Sequence, residues 1–302
     1  RTTASQTQTA GGSVFGVDRF YAYATQASKV TVQQNQASVT PPVGFQKYLG
    51  ITSSSAYSSS NTDVFSFGQV IEAQNAAQLA WGTSNARTIT LSFWVRSSLT
   101  GTHSGAIMNG SFNRSYPYSY TISSANTWEY KTITIPGDTS GTWDMAGNGK
   151  FAYIIWDYGT GSDKRGTAGA WTGSQKEGVT GAVQLVGTSG ATWYITGIQL
   201  EIGEKATPFE HRSFGAELQQ WQGDGTSSTQ NVICGAAGIN ANASACYLVP
   251  SPKMRGPFSI EFADLIISDS ATYDETVTGM NLTNASADGA YVTASHGANG
   301  AR

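Results

Sequence analysis

From Thr88 to Val95 the chain alternates, with Ile89, Leu91, Phe93 and Val95 set against Thr88, Thr90 and Ser92. That is the period of a half-buried strand. Similar runs predict strands at 18–24, 29–33, 45–52, 64–72, 106–109, 116–122, 128–135, 183–186 and 192–200. In the run at 45–52, Phe45, Lys47, Leu49 and Ile51 share one face. Phe151 to Trp156 is apolar on both faces and predicts a central strand. Residues 73–79 predict one short helical turn, and 1–13 an extended lead-in with little core of its own. Within 192–200, Ile195 and Ile198 fall in opposite phase around Gly197, so a β-bulge is expected there. About ten short strands separated by turn residues, without a fixed repeat, predict an all-β jelly-roll sandwich.

Past this sandwich, placed at 1–212, Ser213 reads as a helix N-cap, with Phe214, Leu218 and Trp221 on one face and Gly223 as a stop. A linker helix is therefore expected at 213–223, and a small distal β domain at 224–302. Strands of that domain are expected at 232–235, 245–249, 259–266, 275–282 and 290–294.

Composition narrows the function classes. Only 12% of the 302 residues are charged, while aromatics reach 11%, with 8 Trp and 14 Tyr, which excludes a disordered chain. The net charge of −3 with no basic run gives no reason to expect a nucleic-acid partner. No stretch approaches the ~18 apolar residues of a membrane-spanning helix, so membrane insertion is not expected. The chain opens on Arg1 without a signal-peptide pattern and is read as a piece of a longer chain. Cys234 and Cys246 lie symmetrically about Asn240 and are open to two readings, a cross-strand disulfide or two buried thiols. Neither has a partner at metal-ligand spacing.

Catalytic patterns are absent. His103, His211 and His296 lie far apart, and Asp138 with Asp144, or Asp157 with Asp163, read as turn residues among Gly and Ser. No enzyme is expected. Aromatics in loops suit stacking on sugar rings, with polar neighbours for the hydroxyls. The candidate glycan platform is Trp143, Tyr158 and Trp171 with Asp157 and Asp163, and a second cluster is Tyr116 and Tyr118 with Asn113 and Arg114. The alternative for each is packing in the core or against a subunit. Trp94, Trp128 and Trp193 fall within strand runs and are expected in the core or on a sheet face.

The stretch GATWYITGIQLEIGEKATPFEHRSFGAEL (190–218) resembles a segment of tail-fibre and other virion structural proteins of tailed bacteriophages, of marine phage type. GVDRFYAY (16–23), TLSFWVRSS (90–98), SANTWEYKTITIPGDTSGTW (124–143) and PSPKMRGP (250–257) fit the same pattern in order. The resemblance implies a jelly roll similar to carbohydrate-binding modules, then a short helix and a distal β unit. It implies a non-enzymatic virion protein, a homotrimer joined to other virion proteins, binding host surface polysaccharide or lipopolysaccharide. A purely architectural capsid or tail component is the alternative. Trp221 stands where the family often has a Cys with paired aromatics. Modules of this type often hold calcium through an acid in the last strand; Thr196, Gly197 and Gln199 stand there, so no metal or cofactor is expected.

Overall fold

The computed structural model describes residues 5–17, 20–147 and 149–211, and strand backbone at 237–240, 243–248, 266–268, 274–286 and 289–296. The chain divides into two units, Arg1–Phe209 and Glu210–Arg302. The expected helix at 213–223, the strand at 232–235 and most of that at 259–266 lie outside the described residues, as does Cys234.

The first unit holds β1 (Gln6–Thr7), β2 (Gly12–Val17), β3 (Phe20–Ala24), β4 (Val30–Gln34), β5 (Leu49–Ser53), β6 (Phe65–Glu72) and β7 (Ile89–Ser97). It continues with β8 (Gly101–Asn109), β9 (Ser115–Ile122), β10 (Glu129–Ile135), β11 (Lys150–Asp157), β12 (Arg165–Gly166), β13 (Gly178–Val179) and β14 (Thr192–Ile202). Sheet A has the order β1-β4-β5-β14-β7-β10, and sheet B the order β2-β3-β6-β11-β8-β9. Every pairing within the two sheets is antiparallel. From β5 on, the chain crosses between sheets at nearly every step, leaving β5-β14-β7-β10 facing β6-β11-β8-β9. Two nested Greek keys of this kind make a jelly roll. The fold is an all-β sandwich of the expected type.

Alternation builds its core. Ile89, Leu91, Phe93 and Val95 of β7 are buried at 1% exposure or less; Phe93 meets Trp156 of sheet B, and Trp193 of the neighbouring β14 meets Phe67. Burying each such side chain contributes about 1.5–3 kcal/mol. β11 lies between β6 and β8, as its two-faced apolar pattern requires. The β14 register shifts between Thr196 and Gln199, and Gly197 takes φ +60°, so the bulge returns Ile198 and Leu200 to the core side.

Some expectations shift. The strand placed at 45–52 starts only at Leu49, because Asn35 Oδ1 caps the Tyr48 amide and Pro42 O accepts from the Phe45 amide in a turn. The run at 183–186 forms no strand; Leu185 and Val186 sit buried in a tight helical turn that plugs the sandwich. The 73–79 segment is two such turns, at Ala73–Asn75 and Ala77–Leu79. The lead-in at 1–13 supplies β1 and the first residues of β2 at the sheet edges.

The second unit is an antiparallel sheet of β15 (Ala237–Asn240), β16 (Ala243–Leu248), β17 (Ile266–Ser268), β18 (Asp274–Ser286) and β19 (Gly289–His296), in the order β15-β16-β19-β18-β17.

Candidate functional site

The aromatics singled out from sequence converge, but inside the molecule. Trp143, Trp171 and Tyr116 meet Trp81 and Phe151 at one end of the sandwich. Ring centroids there lie 4.8 Å apart for Trp81–Trp143 and 5.2 Å for both Trp81–Trp171 and Tyr116–Trp171. Trp143 and Tyr116 are buried and Trp171 is half-buried. Arg114 grips Asp138 through Nε at 2.7 Å and Nη2 at 2.6 Å, and the Trp143 indole donates to the same carboxylate at 3.1 Å. Tyr118 and Tyr158 are also in the core, their hydroxyls donating to the carbonyls of Ile155 and Tyr23. Trp143, Tyr116, Tyr118 and Tyr158 are therefore closed to solvent, and Trp171 alone of these rings keeps part of its surface exposed. Asn113 Oδ1 accepts from Asn109 in the β8–β9 turn. Trp193 lies in the core, and Trp94 and Trp128 are half-buried on the outside of sheet A.

The long Gly-rich loop after β11 is ordered as a strap, residues 158–183. It pairs with the free edge of β9, where Thr172 exchanges backbone bonds with Ser115 and the Gly169 amide donates to Pro117 O. Trp171 pins it, donating from its indole to Pro136 O at 2.8 Å. The strap then crosses the outer side of sheet B. Its β12 and β13 pair in parallel, and the Val179 amide donates to Ser104 Oγ. Beneath it Asp157 accepts from Ser104 Oγ at 3.0 Å, from Arg165 Nη2 at 2.9 Å and from the amides of Gly159 and Thr160. Asp163 is exposed on the strap and shares no bond with Asp157. Arg165 Nε and the Trp156 indole are buried without an acceptor.

Beside the strap lies the other half of that face. Outward residues of β11 and β8 (Tyr153, Ile155, Ala106, Met108) form a second apolar cluster, separate from the main core, with Tyr21 and Val70 against it. Around it the rings form a chain. Phe112 lies 4.8 Å from Tyr153, Tyr153 6.5 Å from Tyr21 edge-on, and Tyr21 6.3 Å from Phe15. Phe15 is 58% exposed and Phe112 39%. Polar groups border the row: Lys150 Nζ sits 5.8 Å over the Tyr153 ring, and at the strap margin Glu177 accepts from Gln175 Nε2 at 2.6 Å. Burial raises the Tyr21 hydroxyl pKa well above its ordinary value, with Tyr153 and Glu177 adding to the rise.

Sequence reasoning missed this face. The signal was present in β11, where a strand apolar on both sides needs cover on both, yet only one side faces the sandwich core. Phe15, Tyr21 and Phe112 come from three other places in the chain, and only the β2-β3-β6-β11-β8 pairing, with the turn that follows β8, assembles them.

Sheet A is covered differently. Residues 203–209 double back over its outside, where Thr207 bonds Glu201 and Thr134 Oγ1 donates to Glu204 O. Phe209 then packs on Phe45 at 5.0 Å. Tyr48 and Trp128 stack nearby at 5.7 Å.

Other titratable groups are tied into structure. Burial pushes the His103 imidazole down, while its Nε2 contact with Leu99 O works the other way. Asp63 is buried, which alone would raise it; hydrogen bonds from Gln26, Thr25, Tyr57 and the Ser60 amide outweigh that and hold it far below the usual carboxylate range. Among the described residues no three His, Cys, Asp or Glu side chains group as metal ligands.

No protein-family model matches the chain. No curated protein matches it by sequence. Among solved structures it is similar to the enzymatically active domain of tailspike protein 4 of bacteriophage CBA120, at 13% identity and a TM-score of 0.34. That match covers 61% of this chain but only 19% of the tailspike chain. It is also similar to a family 11 carbohydrate-binding module from Clostridium thermocellum in complex with a β-1,3-1,4-mixed-linked tetrasaccharide, at 15% identity over 68% of this chain and 98% of that one, TM-score 0.31. A CBM4 structure matches at 13% identity over 57% of this chain and 87% of that one, TM-score 0.30. At such scores the likenesses are loose, and no function passes across them.

Proposed function

We propose that the sandwich binds a glycan on the outer side of sheet B, through the exposed rings Phe15 and Phe112 at the two ends of a row that Tyr21 and the buried Tyr153 complete. One observation carries the reading: a chain of four neighbouring rings lies on the outside of the domain, with the two end rings open to solvent. Sugars present C–H faces that stack on such rings, and their hydroxyls need donors and acceptors beside them. Lys150, Gln175 and the two tyrosine hydroxyls supply those. The sequence resemblance extends the reading to a virion protein of a tailed phage that adheres to host surface polysaccharide, with no catalytic step. Single-face affinity of this kind is modest, and presentation of several copies offsets it.

Titration of the purified protein with host-type polysaccharides, by calorimetry or a glycan array, tests the reading. Phe15→Ala and Phe112→Ala are expected to weaken binding about fivefold, each stacked ring contributing about 1 kcal/mol. Absence of binding by the wild-type protein to every polysaccharide offered would overturn it. The architectural alternative draws support from Val43, fully exposed, and Tyr130, 43% exposed, apolar groups away from the ring row. Under that alternative the Phe15 and Phe112 variants change assembly and leave glycan retention untouched.

A further inference from the structure

Two carboxyl groups, Asp157 and Glu177, are buried under the strap, and one guanidinium serves them. Arg165 is committed to Asp157 at 2.9 Å, with both side chains at 5% exposure or less. Glu177 is 4% exposed and makes no ion pair among the described residues. Its partners are Gln175 on the strap and Ser66 of β6 on the sheet, so the side chain bridges strap to sheet through neutral bonds. The next residue leaves no slack: a Cβ on Gly178 would sit 2.2 Å from Asp157 Oδ2.

We propose that Glu177 is a proton-operated latch, holding the strap on sheet B while its carboxyl is neutral and loosening it on ionisation. This rests on the glycan reading for its consequence, since the latch sits at the margin of the ring row beside Tyr21. The titratable and charged groups around it are Tyr21 from β3, Asp157 and Tyr158 from the end of β11, and Lys164 and Arg165 from the strap. Ser66 from β6 is uncharged. Burial is the main force on the carboxyl, and it raises the pKa to about 7. Asp157 adds to the rise; the bonds from Gln175 and Ser66, and the Lys164 charge, offset part of it.

The sign follows. A carboxyl raised in the folded state favours the closed strap at low pH, and that contribution fades as pH rises towards and through about 7. The strap is therefore tightest below about pH 4.5, loosens as pH climbs from there through about 7 and is loosest above pH 8, and glycan binding weakens over the same window.

Limited proteolysis with a lysine-specific protease reads the strap through cleavage at Lys164 and Lys176, without any glycan. The wild type is compared with Glu177→Gln at each pH, so the protease's own pH response cancels. Gln keeps a neutral bridging group at all pH values. The wild-type-to-variant ratio of cleavage rates is expected to rise on the order of tenfold or more between pH 5.5 and 8.5. A ratio that stays flat would overturn the latch, and so would a variant whose cleavage, after normalisation to an unstructured lysine peptide, rises between pH 5.5 and pH 8.5 as the wild type's does. Glycan titration of the same two proteins separates the layers. If the ratio rises but no polysaccharide binds at any pH, the latch stands and the glycan reading falls. If glycan binds with the same pH profile in both proteins, the coupling of latch to site is refuted.

Discussion

Gly197 shows how much one residue can decide. Its φ of +60° lies where an L side chain is strained, and a Cβ there would come within 2.6 Å of the Phe45 ring. Gly197→Ala is expected to lower stability by about 1–3 kcal/mol. The measurement is the denaturant midpoint at unchanged slope; an unchanged midpoint would mean that the bulge relaxes without cost. This position was readable from sequence, because the phase of Ile195 and Ile198 demands an extra residue between them. Trp143 was not. An indole in a Gly-rich loop looks exposed on paper, yet Arg114 and Asp138, 24 residues apart, build a charged clasp that turns it inward. Loop residues carry no period, so nothing local says which way a ring points. Tyr21 illustrates the converse: it sits in a readable strand, but only pairing with a distant β6 shows that its outward side faces a second cluster.

At the scale of elements, the strap is the part with a job beyond packing. It closes the free edge of β9 against unwanted strand pairing and walls one side of the ring row. Trp171 joins it to the sandwich end. Trp171→Ala is expected to free the strap, raising protease cleavage at Lys164 and Lys176 severalfold at pH 5.5. Trp171→Phe, which keeps a ring against Trp81, Trp143 and Tyr116, restores most of the protection. Equal behaviour of the two variants would place the anchoring in the indole bond to Pro136 rather than in the ring. The strands themselves were the legible elements, down to the central place of β11. The order of the strap was not legible: Gly, Ser and Thr between 157 and 173 have the composition of a loose loop, and its order comes from partners on β8, β9 and β11.

For the whole molecule, the adhesion role proposed above predicts an assembly of copies. Light scattering on the purified chain is expected to give a trimer, and a stable monomer at micromolar concentration would count against it. How the chain leaves the sandwich bears on this role. β14, the last strand, lies between β5 and β7 in the middle of sheet A and not at its rim. Tension applied through the seam at 203–209 therefore does not unzip an edge one bond at a time. It must slide a strand out of two ladders at once, and rupture loads many backbone bonds in parallel. Under the adhesion role proposed above, a domain tethered this way would transmit pull to its ligand as a stiff body.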